Sequence, residues 1–170
     1  MKAQLGLISP KYVFDANVFG DFWDTADPYR SYPIDIRSHR QTWEFIEGLM
    51  SAGSIISSIE VKEQLMNSDL SELKKWIKEY GYVFLEMDAA PRLQQHLQAI
   101  HVAFPAYENR KADVVDAVVI GTAMSLACAV VSSERRVPNP GVLPKIPNVC
   151  DNLGVQCLNI NEFLRLENYN

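Results

Sequence analysis

Four acidic residues lie where apolar runs end or are interrupted. Asp15 follows Tyr12-Val13-Phe14, Glu63 lies in the helical segment after Ser54-Ile55-Ile56-Ser57, Asp116 interrupts an otherwise apolar stretch, and Glu134 follows Ala127 to Val131 and two serines. Each has an ordinary explanation by itself. An Asp or Asn after a strand commonly caps the next helix, and a helix glutamate is commonly exposed. Together they come from four separate segments of one expected sheet, whose C-terminal edge is where open α/β sheets place their ligands. Carboxylates crowded there repel one another unless a cation neutralises them, and oxygen-only ligands select hard ions such as Mg2+ or Mn2+. Such an ion turns water into hydroxide and stabilises charge growing on a phosphoryl oxygen; where two are held, they stand roughly 3.5–4 Å apart.

The elements that must position these acids follow from the patterning. From Val114 to Val131 apolar residues fall on every side of a helical wheel, which marks a buried helix with Asp116 in its first turn. The run Ala127 to Val131 then reads as a strand covered on both faces, as in a parallel sheet. Tyr12 to Phe14 is a first strand, and Asp21 to Arg40, broken by Pro28 and Pro33, is an irregular connection or a short helix plus loop. Helical spacing runs from Thr42 to Met50 and stops at Gly53; Ser54 to Ser57 is the second strand. Ser57 with Glu60 fits a capping box, which gives Glu60 a structural task and leaves Glu63, one turn deeper, free to return to the rim. Ser71 to Tyr80 is a helix on Leu73, Trp76 and Ile77, Tyr82 to Leu85 a third strand, and Pro91 opens a helix ending before Pro105. Ile146 to Leu153 is a short helix, Val155 to Leu158 a last strand, and Asn161 to Leu166 a closing helix. His96 and His101 lack the i, i+4 spacing of paired helical zinc ligands.

The composition is that of one globular domain spanning residues 1–170: 48% hydrophobic, 22% charged, with signs mixed. A formal net charge of -5 argues against coating nucleic acid or anionic membrane by bulk charge, while leaving room for local basic patches. Cys128, Cys150 and Cys157 match neither a disulfide framework nor a zinc site, and read as reduced thiols. Met1 to Pro10 has no signal-peptide pattern and no stretch approaches a membrane span, so a soluble, cytoplasmic protein with no membrane partner is expected.

At these residues the chain resembles a known family, the PIN domain nucleases. YVFDANVF resembles that family's first strand with its metal-binding aspartate, here Asp15, and the nearby Asn17 that orders the site. SSIEVKEQL resembles its second acidic segment, with Glu63 rather than Glu60 at the matching position. DAVVIGTAMSLACAVVSSE is similar to its third and fourth segments, placing acids at Asp116 and Glu134 and a serine, Ser133, where serine or threonine is usual. KIPNVCDNLGVQCLNINEFLR resembles the tail of one PIN-like branch found in bacteria and archaea, so the likeness runs from Tyr12 to Arg165. The resemblance implies a three-layer α/β/α sandwich around a central parallel sheet and a metal-dependent endoribonuclease. In it Asp15, Asp116 and Glu134 hold Mg2+ or Mn2+, and Glu63 completes the catalytic acids. Members are often the toxin of a toxin–antitoxin pair and often dimeric, which makes an antitoxin protein and a second copy of the chain expected partners.

Two departures stand out. The fourth acid is a glutamate where many members have aspartate, and Asp113 lies one turn before Asp116 on the same helical face, so either aspartate is a candidate third ligand. The D-x-x-x-x-G/A-x-A register fits Asp116, leaving Asp113 to favour the positive end of the helix dipole. An acidic pit needs positive side chains around it to hold RNA. The loop after Glu134 offers Arg135, Arg136 and Lys145, and Arg37 and Arg40 would form an opposite wall. A rival reading, a haloacid dehalogenase-type phosphatase with Asp15 as nucleophile, lacks the second acid at Asn17 and a lysine between Asp116 and Glu134. A further alternative is a catalytically weak PIN-like module that binds RNA or protein without cutting.

Overall fold

The computed structural model describes residues 9–23, 36–86, 90–108, 111–138 and 144–169. Five parallel strands form one sheet: β1 (Tyr12–Phe14), β2 (Ile55–Ser58), β3 (Phe84–Leu85), β4 (Ala129–Val131) and β5 (Cys157–Leu158), in the spatial order β3-β2-β1-β4-β5. Eight α-helices among the described residues complete a three-layer α/β/α sandwich: α1 (Ala16–Trp23), α2 (Ile36–Ser51), α3 (Ile59–Met66), α4 (Ser71–Glu79), α5 (Leu93–Ala103), α6 (Lys111–Leu126), α7 (Ile146–Leu153) and α8 (Ile160–Leu166). The chain builds outward from β1 through β2 to β3, then crosses back through α5 and α6 to lay β4 on the other side of β1. That reversal makes the β1/β4 boundary a topological switch point.

Central position explains the sequence of β1 and β4. Val13, Phe14, Val130 and Val131 are wholly buried, because helices cover both faces of the sheet and no position is left to alternate with water. Phe163 of α8 packs edge-on against Tyr12 and Phe14, with ring centroids 4.9 and 5.3 Å away, so the C-terminal helix clamps the first strand. Phe19, Phe22, Trp43, Trp76 and Phe84 form a second aromatic layer. The buried helix α6 lies close on α5: a Cβ at Gly121 would stand 2.9 Å from Leu93 Cδ1, so the absence of a side chain permits the approach.

Several boundaries differ from the sequence reading, each for a local reason. Ser57 remains in the strand, where its hydroxyl donates to the Phe14 carbonyl at 2.7 Å, and Ser58 instead caps α3 by accepting from Val61 N. Glu60 therefore occupies the second helical position, one residue early for a capping box, and the expected Ser57–Glu60 pair does not form. The third strand shrinks to two residues because Gly81–Val83 winds into a 3-10 turn. Helix α6 starts at Lys111, so Asp113 lies in its first turn and Asp116 in its second, not its first. Ala127, at φ 54, breaks that helix before β4. Helix α2 begins at Ile36, six residues before the helical spacing becomes readable, and residues 24–35 of the connection expected between Asp21 and Arg40 lie outside those described, as do residues 1–8. Asn159 forms a reciprocal capping box with Glu162, starting α8 one residue early. No helix among the described residues is long and apolar enough to cross a membrane.

Removing the clamp should be costly. Phe163→Ala deletes a fully buried ring that touches two aromatic residues of the central strand, and a stability loss of about 3–5 kcal/mol is expected. Urea unfolding should show a lower midpoint with an unchanged slope; a midpoint like that of the parent would mean that α8 does not hold β1.

Candidate functional site

The switch point holds a buried carboxyl group. The Asp15 backbone N–H donates to the Val131 carbonyl at 3.0 Å, extending the β1/β4 pairing by one rung, and the residue then opens α1. Its side chain is 1% exposed; Oδ1 accepts from Ala16 N at 2.6 Å and Oδ2 from the Ser132 hydroxyl at 3.0 Å. Burial pushes this carboxyl up to about 6, and the Glu134 charge adds to the rise, while the Ser132 hydroxyl and the Ala16 and Asn17 amides oppose it. The capping role and the candidate ligand role thus fall on the same residue. Asn17 contributes that amide, and its side chain is exposed.

Helix α6 brings in Asp116, half-buried, whose carboxyl is pushed up to about 8 by burial and then by the charges of Asp15, Glu134 and Asp113; Lys145 pulls the other way. Asp15, Asp116 and Glu134 therefore influence one another electrostatically: Glu134 acts on both aspartates, Asp15 acts on Asp116, and so does Asp113, buried in the first turn of α6. Tyr107 completes the wall: its buried phenol donates to the Pro144 carbonyl at 3.1 Å and is pushed well above its ordinary value, first by burial and then by Asp116 and Glu134.

Glu134 has a second allegiance. Its Oε1 accepts from Lys145 Nζ at 3.1 Å and its Oε2 from Ile146 N, the first amide of α7, at 2.7 Å, while its own N–H donates to the Ser132 hydroxyl at 3.1 Å. It thus closes the loop between β4 and α7 by satisfying an open helix N-terminus. Ser132, the neighbour of the expected Ser133, donates to Asp15 and links it to the Glu134 backbone; Ser133 lines a cavity of about 240 Å³ beside Glu134 and Arg135.

Other expected site residues are placed differently. Glu63 is exposed on α3, with no side-chain hydrogen bond or ion pair to the three acids among the described residues. Glu60, one turn nearer the strand end, is half-buried, and its Oε2 is buried without a hydrogen-bond partner among the described residues. An unpaired buried carboxylate oxygen is expensive, and the capping-box pattern had hidden it. The basic residues mostly hold the fold. Arg136 pairs with Asp151 through two bonds of 2.9 and 3.1 Å and donates to the Cys157 carbonyl, Lys145 pairs with Glu134, and Arg40 pairs along its own helix with Glu44. Arg135 is exposed, with no ion pair among the described residues, and the Arg37 side chain lies outside them. Tyr107 and Ser132 were missed because neither stands in a recognisable spacing; only Ser132, between a strand and a candidate acid, had a positional signal.

Among the described residues no three Asp, Glu, His or Cys side chains stand in metal-ligating geometry. The donor chemistry nevertheless suits a hard cation: the acids of the site offer oxygen only, and Glu134 raises both Asp15 and Asp116, with Lys145 the one cation that opposes it at Asp116 among the described residues. Each Glu134 oxygen already accepts one hydrogen bond, from Lys145 or from Ile146 N, which leaves each a single further lone pair for a cation.

The fold and site define a parallel α/β/α sandwich with buried acids at its switch point. The chain belongs to the DUF4411 family, a domain of unknown function, whose match covers residues 12–170. No curated protein and no solved structure matches it.

The raised carboxyl groups fix a pH dependence. An acid whose folded pKa exceeds its unfolded value, about 4 for aspartate, binds its proton more tightly in the native state, so stability is lost as pH rises between the two values. Asp15 and Asp116 should therefore lower the melting temperature of the metal-free protein progressively from about pH 4 to about pH 8. Asp116→Asn should flatten the upper part of that decline and raise the melting temperature at pH 8. Parallel melting curves for parent and variant from pH 5 to 9 would contradict the placement of Asp116 beside the other acids.

Proposed function

We propose that this chain is a metal-dependent endoribonuclease of the PIN type, working at the Asp15–Asp116–Glu134 neighbourhood. The observation that carries the reading is that the buried acid after β1 and the half-buried acid of α6, far apart in sequence, share the field of Glu134, and Asp15 adds to the rise of Asp116; a divalent cation is the simplest relief of such repulsion. Bound by Asp15 and Asp116, Mg2+ or Mn2+ would supply an activated water and charge stabilisation at a phosphoryl oxygen.

The chain's own residues do the rest. Ser132 and the Ala16 amide fix both oxygens of Asp15. Asp116, which holds its proton up to about pH 8 without a cation, must release it for binding, so ion uptake and proton release are linked. Glu60, with its unpartnered oxygen at the start of α3, is a candidate beside Glu63 for the second acidic position. Exposed Arg135, at the mouth of the cavity beside Glu134, is the residue best placed to meet an RNA phosphate, whereas Arg136 anchors the loop. A cytoplasmic site of action, an antitoxin partner and a homodimer belong to the same reading.

A second reading, a PIN-like module that binds RNA or protein without cutting, is favoured by the engagement of both Glu134 oxygens with Lys145 and α7. Calorimetric titration with Mn2+ alongside digestion of a mixed-sequence RNA separates the two. The nuclease reading expects Mn2+ binding with proton release at pH 7, Mn2+-dependent cleavage, and loss of both in Asp15→Asn and Asp116→Asn. Binding without cleavage selects the module; cleavage that survives in both variants defeats the site assignment. Arg135→Ala should weaken binding of all RNA sequences alike and reduce the slope of log affinity against log salt by about 1, with Mn2+ affinity unchanged. Arg136→Ala should instead lower thermal stability.

A further inference from the structure

Cys150 and Cys157 stand together in the wall behind Glu134. Cys150 is in α7 and wholly buried; Cys157 is in β5 and 7% exposed. The turn between them reverses at Gly154, at φ 68, and is fastened by Val155 N donating to the Cys150 carbonyl at 2.9 Å, so helix and strand run back along each other and bring the Cys150 thiol near enough to Cys157 for the one to act on the other's ionisation. Cys128, by contrast, lies at the opposite end of its strand and donates to the Pro10 carbonyl at 2.9 Å.

Two further observations make the pair more than core packing. Cys157 lines the cavity of about 240 Å³ that Glu134, Arg135 and Arg136 share, and that volume admits molecules the size of water or hydrogen peroxide. Arg136 also spans the pair: it bonds Asp151, the residue after Cys150, and the carbonyl of Cys157 itself, and it leaves the chain two residues after Glu134.

We infer that Cys150 and Cys157 are a modification site, a dithiol that a hydroperoxide entering this cavity converts reversibly to an intrachain disulfide. The Cys157 sulfur attacks one peroxide oxygen, the O–O bond breaks, and the departing oxygen leaves as water with the thiol proton, giving a sulfenic acid at Cys157. The Cys150 sulfur then attacks that sulfur, the S–O bond breaks, and the hydroxyl leaves as a second water with the Cys150 proton. Two electrons pass from the two sulfurs to the peroxide, and a dithiol reductant returns them. Contact with Cys157 and burial hold the Cys150 thiol far above its ordinary value, so the first attack falls to the thiol that lines the cavity. Because both Arg136 anchors flank the new bond, oxidation draws on the loop that begins at Glu134.

The test needs no RNA, so its outcome is independent of the nuclease reading. Reduced, folded protein is treated with hydrogen peroxide, alkylated, digested and weighed. The expected product is a monomer in which the peptide holding residues 146–165 has lost two hydrogens and takes up no alkylating agent, Cys128 stays alkylatable, and dithiothreitol restores both thiols. In Cys150→Ala, dimedone should trap a sulfenic acid on Cys157; Cys157→Ala should give no adduct on Cys150; Cys128→Ala should behave like the parent. Full alkylation of all three thiols after peroxide, a disulfide that includes Cys128 or a second chain, or oxidation of Cys157 with Cys150 still alkylatable would overturn the inference, and each is read on the unmutated protein.

Discussion

The structure turns on the burial of one carboxyl group between two strands that the chain brings together late. Asp15 is held at the β1/β4 boundary by a backbone bond to Val131, a hydroxyl from Ser132 and the first amides of α1. Three elements are thereby fixed to one another through a single side chain: the end of β1, the exit of β4 and the start of α1. A buried anion of this kind stabilises nothing by itself; it specifies geometry, because only one docking of β4 supplies its donors. Asp116 and Glu134 then crowd a place that is already short of water, and in that company Asp116 holds its proton up to about pH 8.

Glu134 shows how one side chain can serve the fold and constrain the chemistry. By bonding Lys145 and the first amide of α7 it closes the loop that carries Arg135 and Arg136, and in doing so it commits both of its oxygens. The longer arm of glutamate, compared with the aspartate of the resembling family, suits it to span that loop. Arg136 repeats the arrangement from the other direction, tying the same loop to α7 and β5. The stretch that reads in the sequence as basic thus also carries ion pairs that join the loop to the helix and strand behind it.

The elements whose signals are dense and one-sided were legible. The buried β1, the α4 stripe of Leu73, Trp76 and Ile77, and α7 appear where the patterning puts them, and the all-apolar helix leads into a buried strand that begins at Ala129, two residues after the expected Ala127. Asp15 and Glu134 follow the ends of the neighbouring strands β1 and β4, as the patterning suggests, while Asp116 comes from within α6. Less legible were features decided by single hydrogen bonds. Ser57 and Ser58 are equivalent in sequence, and only the Phe14 carbonyl, 43 positions away, determines that the first stays in the sheet and the second caps the helix. That one-residue difference moves Glu60 out of the capping box and changes the reading of both α3 glutamates. The pairing of Lys145 and Arg136 was hidden for the same reason: ion-pair partners brought together by a loop leave no periodicity.

The strand order also sets the sequence of events by which the site comes into being. The hydroxyl that holds Asp15 comes from a residue 117 positions further along the chain, so the innermost pairing of the sheet is also among its most distant. Contacts of that separation form slowly, since the intervening chain must be ordered before they are rewarded. During synthesis β1, β2 and β3 emerge together and can associate while Asp15 still faces water as an ordinary ionised carboxylate. Only when β4 arrives is the group enclosed, so the acidic centre is a late product of folding, and a chain stalled before β4 would carry its half-built sheet with an open inner edge.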